Sequence, residues 1–167
     1  MKFWRALKAE INRQVYLHTG HRPWSRGYGE YRQGEIQRIL DHGLFNEAQL
    51  PQGYGFRLDE RVVEYPWLFN RLPADEGWLL DAGSVLNHPF LLERNLFRNK
   101  RVFISTLAPE PISLTALGVS YVYEDFRDSC FKNNHFDWIV SLSTLEHIGM
   151  DNTMLYTDDA SKREESP

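Results

Sequence analysis

The stretch WLLDAGSVLNH, residues 78–88, runs from a short apolar segment through Asp81, a small Ala, Gly83 and Ser84 into a helix-like segment. Glycine has no Cβ, so the backbone there can turn sharply and come close to a ligand. In open α/β sheets such a turn lies where strand carboxyl ends and helix N-termini face one crevice, the usual place for a nucleotide. The plain alternative is an ordinary strand-to-helix turn capped by Asp81. The dinucleotide spacing G-x-G-x-x-G is missing, because Val85, Asn87 and Pro89 stand where further glycines would be needed. That disfavours a pyrophosphate site and, with it, an oxidoreductase-type dinucleotide domain.

A second informative stretch is YEDFRDSCFKNNHFDWIVSLSTLEHI, residues 123–148. Asp125 falls at a strand end and Phe126 follows it. A carboxylate accepts a hydrogen bond from an amino group while the next backbone N–H donates one, and together these complement an adenine edge. Phe126 adds a ring that can pack on the base. Taken singly, Asp125 reads more readily as a solvated loop acid than as a ligand. In the N-terminal third, RPWSRGYGEYR, residues 22–32, interleaves Arg22, Arg26 and Arg32 with Trp24, Tyr28 and Tyr31. Such mixing binds sugars, bases or phosphates, or it packs a loop over a sheet. His18 and His21 are too few ligands for a metal site, and no metal is expected.

The elements that must hold these residues show in the periodicity. Apolar residues at helical spacing predict helices over Phe3–Leu17, Glu30–Leu44 and Asp59–Leu72. The Gly- and Pro-rich links HTGHRPWSRGYG and NEAQLPQGYGFR read as ordered turns or loops. After Gly77 short apolar runs alternate with helical ones, the pattern of a parallel sheet flanked by helices. The expected order is strand Trp78–Asp81, helix Pro89–Phe97, strand Arg101–Thr106, short helix Ile112–Leu117, strand Val119–Glu124 and strand Trp138–Leu142. Charge divides at the same place: residues 1–77 carry 11 basic and 10 acidic side chains, residues 78–167 carry 8 and 13. From Met150 onward few residues can pack, so a loose end is expected. The resulting organisation is a helical N-terminal extension (1–77), a Rossmann-like α/β half-domain of about four parallel strands (78–150) and a polar tail (151–167).

At 167 residues the chain is of one-domain size, and 42% hydrophobic with 25% charged residues excludes disordered, collagen-like and low-complexity classes. An aromatic share of 14% supplies large groups for a core. A net charge of −4 gives no general reason to expect nucleic acid. The lone Cys130 excludes an intramolecular disulfide and any multi-thiolate metal site, and fits a reducing, cytoplasmic setting. The first twenty residues are broken by Lys, Arg and Glu, so they lack a signal-peptide core, and no apolar run approaches the ~18 residues of a membrane span. No membrane partner is expected.

From Trp78 to about Asn152 the chain resembles the first half of the class I S-adenosylmethionine-dependent methyltransferases. LLDAGS resembles the family's glycine-loop motif, and EDFRDSCFKNNHFDWIVSLSTLEHI resembles its stretch from the adenine-contacting acid through the fourth strand. The resemblance implies S-adenosyl-L-methionine as cofactor, with Asp81, Gly83 and Ser84 beside its methionine portion, Asn87 and His88 contributing from the helix start, Asp125 and Phe126 beside its adenine, and Ser143 near the sulfonium. It implies methyl transfer to a small-molecule or glycan acceptor, driven by proximity and in-line orientation. His147 is the candidate general base, since an imidazole titrates near neutrality, and Glu146 is the second; a helix-start histidine fixed by hydrogen bonds is the alternative for His147. The segment DERVVEYPWLF, residues 59–69, resembles one that lids the cofactor in some members. Two departures stand out. The family's ribose-gripping acid after the second strand is absent, and VFISTL offers only Ser105 and Thr106. The family fold has seven strands, whereas this sequence ends before a fifth, so it reads as a fragment or shortened form. Its fourth strand would then expose an apolar edge at Trp138, Ile139, Val140 and Leu142, inviting a dimer or a companion chain. The rival expectation is a non-catalytic binding or assembly module built on the same half-sheet.

Overall fold

The computed structural model describes residues 2–42, 50 and 52–148. The chain forms two compact units, Met1–Leu72 and Pro73–Pro167, so the break falls a few residues ahead of Gly77. Leu44, the expected end of the second helix, and the expected tail at 151–167 lie outside the described residues.

The first unit holds three helices: α1 (Lys2–His18), α2 (Tyr28–Asp41) and α3 (Arg61–Arg71). Its core gathers around Tyr16, fully buried, whose ring meets His21, Tyr28 and Tyr31 at 5.1–5.9 Å between centroids. Gly27 (φ +86°) precedes α2, and a Cβ there would stand 1.8 Å from the Asn12 carbonyl oxygen, so only glycine lets this turn meet α1. Inside α3, Pro66 has no N–H to give the Val62 carbonyl. The Tyr54 hydroxyl donates to that carbonyl instead, at 2.5 Å, and restores the missing bond. Burial, with the Glu35 carboxylate nearby, pushes the Tyr54 hydroxyl up to about 12.

The second unit is an α/β layer. It runs β1 (Gly77–Ala82), α4 (Pro89–Leu92), β2 (Lys100–Thr106), β3 (Ser120–Tyr123) and β4 (Trp138–Val140), the four strands all parallel in the order β3-β2-β1-β4. That order matches the opening half of a doubly wound sheet. β1 lies between two neighbours, and its run Leu79–Ala82 is buried on both faces, as a central parallel strand must be. By register Trp78 and Leu80 share a face with Arg101 and Phe103. Trp78 stacks on Phe103 at 5.3 Å, and Phe131, His135 and Phe136 close over that pair.

Several expected elements are shorter than their apolar spacing suggested, among them β3, which covers Ser120–Tyr123 within the expected Val119–Glu124, and α3, which covers Arg61–Arg71 within Asp59–Leu72. The helix expected over Pro89–Phe97 stops at Leu92, because Arg94 turns extended (ψ 151°); a 3₁₀ turn, Asn95–Phe97, then buries Phe97. The helix expected over Ile112–Leu117 is a single 3₁₀ turn, Thr115–Leu117, ended by left-handed Gly118. β4 ends at Val140, two residues before Leu142. Among the described residues no helix is long and apolar enough to cross a membrane.

Candidate functional site

Parallel strands bring their carboxyl ends to one edge. In register, Ala82 of β1 stands level with Ser105 of β2 and Val122 of β3, and Asp81 stands beside Val140 of β4. The loops carrying Gly83–Ser84, Asp125–Phe126 and Ser143 therefore leave the same edge. β1 and β3 are two strand spacings apart there, about 10 Å.

The first loop is held from beneath. Asp81 is fully buried, and its carboxylate accepts hydrogen bonds from the Val85 N–H (3.1 Å) and the Leu86 N–H (2.7 Å). Asp81, expected beside a ligand, is engaged here in fixing the turn through these two amides. Asn87 is engaged in the same way. Its side-chain N–H donates to the Ile112 carbonyl (3.0 Å), its Oδ1 accepts from the Tyr121 hydroxyl (2.8 Å), and the residue is buried. Both ends of the amide tie the loop after β1 to the segment entering β3. His88 precedes α4, half-buried, its ring against Phe90.

Gly83 (φ +116°) occupies backbone space that L side chains avoid, and the room beside it is taken by another residue. A Cβ at Gly83 would lie 2.2 Å from Thr144 Oγ1 and 2.4 Å from its Cγ2. Thr144, which the sequence reading did not single out, thus seats the loop after β4 against the loop after β1. Ser84 (φ +61°) and Ser143 (φ +48°), one on each of these loops, are left-handed although neither is glycine. Strained backbone of this kind is found at binding sites when the surrounding structure enforces it. The Ser84 and Ser141 hydroxyl oxygens are buried without a hydrogen-bond partner. Orphaned hydroxyls on adjoining loops are groups that a polar ligand would satisfy.

On the β3 side Asp125 leads a 3₁₀ turn, Phe126–Asp128. Its carboxylate accepts from the Arg127 N–H (2.8 Å) and pairs with the Arg127 guanidinium (2.6 Å), which holds it below the usual carboxylate range. Phe126 is half-buried. Glu124, one residue earlier, is the acid that sequence reasoning missed. It accepts from Ser105 Oγ (2.9 Å), Ser129 Oγ (3.0 Å) and the Cys130 N–H (2.7 Å). Burial alone would raise its pKa, but these bonds outweigh burial and lower it. The sequence signal for it is the doublet Glu124–Asp125 at a strand end. Glu124 sets a carboxylate against Ser105 in β2, where the sequence offered only hydroxyls. Glu146 and His147 are exposed in the 3₁₀ turn Leu145–His147, just beyond Thr144.

Among the described residues no three His, Cys, Asp or Glu side chains converge as a metal site. Compared with protein-family models, with curated proteins and with solved structures, the chain matches none.

Proposed function

We propose that the Pro73–Pro167 unit binds S-adenosyl-L-methionine and serves methyl transfer to a small-molecule or glycan acceptor. The observation that carries this reading is the strand order β3-β2-β1-β4 in one parallel sheet, which puts the Gly83–Ser84, Glu124–Phe126 and Ser143–Thr144 loops on one carboxyl edge. The lone, exposed Cys130 supports a reducing, cytoplasmic setting.

The residues present fit the cofactor in part by what they leave unsatisfied. Ser84 and Ser141 offer buried hydroxyls without partners, and Glu124 offers a carboxylate against β2 for hydroxyl groups. Asp125 and the Phe126 N–H stand side by side for an adenine edge, with Asp125 sharing its carboxylate between Arg127 and the base. The cofactor would supply a methyl group on a sulfonium. His147 and Glu146, exposed beyond β4, are the groups able to take a proton from an acceptor.

Calorimetric titration of the full chain with S-adenosylhomocysteine tests this, micromolar affinity being expected. Asp125→Ala should weaken it by about 1–3 kcal/mol, the cost of one hydrogen bond to a charged group. A silent titration refutes the reading. It would instead favour the assembly module, which has its own support: Ile139 on edge strand β4 is 66% exposed, and Thr144 already fills the room at Gly83.

A further inference from the structure

Six non-glycine residues among those described have a positive φ, and three of them, His21 (55°), Trp24 (61°) and Arg57 (58°), sit on two neighbouring loops of the helical unit. The loops touch: Arg57 Nη1 donates to the Gly20 carbonyl (2.6 Å), and the His21 ring meets Phe56 edge-on at 6.3 Å. A bulky residue in the left-handed region is an outlier that its surroundings must enforce. Trp24 is held there with its ring against Tyr28 at 4.7 Å between centroids, and it is 74% exposed. Phe56, with Arg57 over its ring at 5.3 Å, is 61% exposed. Folding gains little from presenting two large rings to water, so neither the strain nor the exposure is explained by the core.

The same two loops carry Arg22, Arg26 and Arg57, all exposed. None forms an ion pair among the described residues. Arg26 donates to the Asn12 side chain (2.8 Å), and Glu30 reaches it only through the other end of that amide. Flat rings facing solvent on loops that also carry guanidinium groups without acid partners among the described residues match a ligand with both a ring and negative charge. Base stacking on an aromatic side chain together with arginine–phosphate pairing is that chemistry.

We infer that the loops 20–26 and 53–57 form a binding site for a phosphorylated nucleoside, free or within a single strand, with the base on Trp24 and phosphates on Arg22, Arg26 and Arg57. The net acidity that argued against nucleic acid belongs to the chain as a whole, whereas this charge is local. The site lies within the Met1–Leu72 unit and stands or falls independently of the methyltransferase reading.

The test titrates the full chain with ADP, UDP, inorganic phosphate and a labelled twelve-residue oligothymidylate at low and raised salt. Saturable, salt-sensitive binding of a nucleotide or of the oligomer is expected, with inorganic phosphate at least tenfold weaker. Tight binding of the oligomer alone identifies a single strand, and comparable binding of ADP or UDP identifies a free nucleotide. Trp24→Gly removes ring and strain together, so binding should fall about tenfold, the scale of one lost stacking contact, while the melting midpoint holds or rises. Should that variant fold poorly, Trp24→Asn also tolerates the conformation. Arg22→Glu with Arg26→Glu should weaken binding further and flatten its salt dependence. No saturable binding to any probe, phosphate binding as tight as the nucleotides, or binding indifferent to these variants would overturn the inference.

Discussion

Replacing Gly83 by alanine tests the most specific geometry at the sheet edge, because it meets two separable costs. The first is conformational: φ of +116° lies outside what an alanine adopts readily, and enforced backbone of this kind costs about 1–3 kcal/mol. The second is steric. The new Cβ would lie 2.2 Å from Thr144 Oγ1, 2.4 Å from Cγ2 and 2.7 Å from Thr144 Cβ itself, so a change of rotamer cannot clear it and the loop after β4 must shift. Overpacking of that sort costs about 1–3 kcal/mol. The sum is roughly 2–6 kcal/mol. At 1.4 kcal/mol per decade, even a loss of about 2–4 kcal/mol would lower hydrogen-exchange protection of the β1 amides roughly 30- to 700-fold. Exchange read by mass spectrometry over Leu79–Ala82 is the assay, since it reports this unit and not the helical one. Thr144→Gly removes the obstacle but leaves φ unchanged, so the double variant should recover the steric part, a coupling of about 1–3 kcal/mol. Protection in Gly83→Ala within threefold of wild type, or no coupling to Thr144→Gly, would refute the packing account.

Two further outcomes follow from groups outside that turn. Tyr54→Phe strands the Val62 carbonyl that Pro66 cannot serve and should cost about 1–3 kcal/mol in a denaturant titration of the helical unit. Because the folded hydroxyl is pushed up to about 12, from an ordinary value near 10, wild-type stability from this group is full below pH 10 and is lost as pH rises through 12. Burial also pushes up the hydroxyls of Tyr16, Tyr28 and Tyr31 in the same unit. The Phe variant should therefore show a shallower alkaline loss rather than none, and an unchanged alkaline limb would show that Tyr54 does not contribute to it. Ile139→Lys places a charge on the apolar edge strand; sedimentation velocity should show less self-association with the melting midpoint unchanged, and a midpoint several degrees lower would mean Ile139 packs rather than protrudes.

What was legible in the sequence is what periodicity records. The three helices and four strands stand out through the spacing of their apolar residues, and β1 most plainly, since Leu79–Ala82 is buried without interruption. Pro89–Phe97 misled because burying Leu91, Leu92 and Phe97 requires only that apolar residues recur, and an α-turn, an extended Arg94 and a 3₁₀ turn serve that as well as one helix. The site was less legible, for a different reason. Asn87 is spent on Ile112 and Tyr121, and Gly83 is faced by Thr144, partners 25 to 61 positions away that only the strand order brings near. Asp125 is the instructive contrast. Its partner Arg127 is two residues on and was visible throughout, but a carboxylate at a strand end invites a ligand reading before a local one.

The same strand order sharpens what Gly83 is for. A glycine at the end of a central strand can admit a ligand or admit a neighbouring loop, and sequence alone does not separate the two. Here β4 lies directly beside β1, so the loop after β4 takes the room, and Thr144 stands where close backbone approach was expected of a cofactor. A ligand at this edge must therefore either displace Thr144 or lie on it, and these alternatives differ in sign. Displacement predicts that Thr144→Gly tightens S-adenosylhomocysteine binding by relieving competition. Contact predicts that the same change weakens it. The buried, partnerless hydroxyls of Ser84 and Ser141 favour displacement, because a polar ligand entering between the two loops would supply the hydrogen-bond partner that both lack.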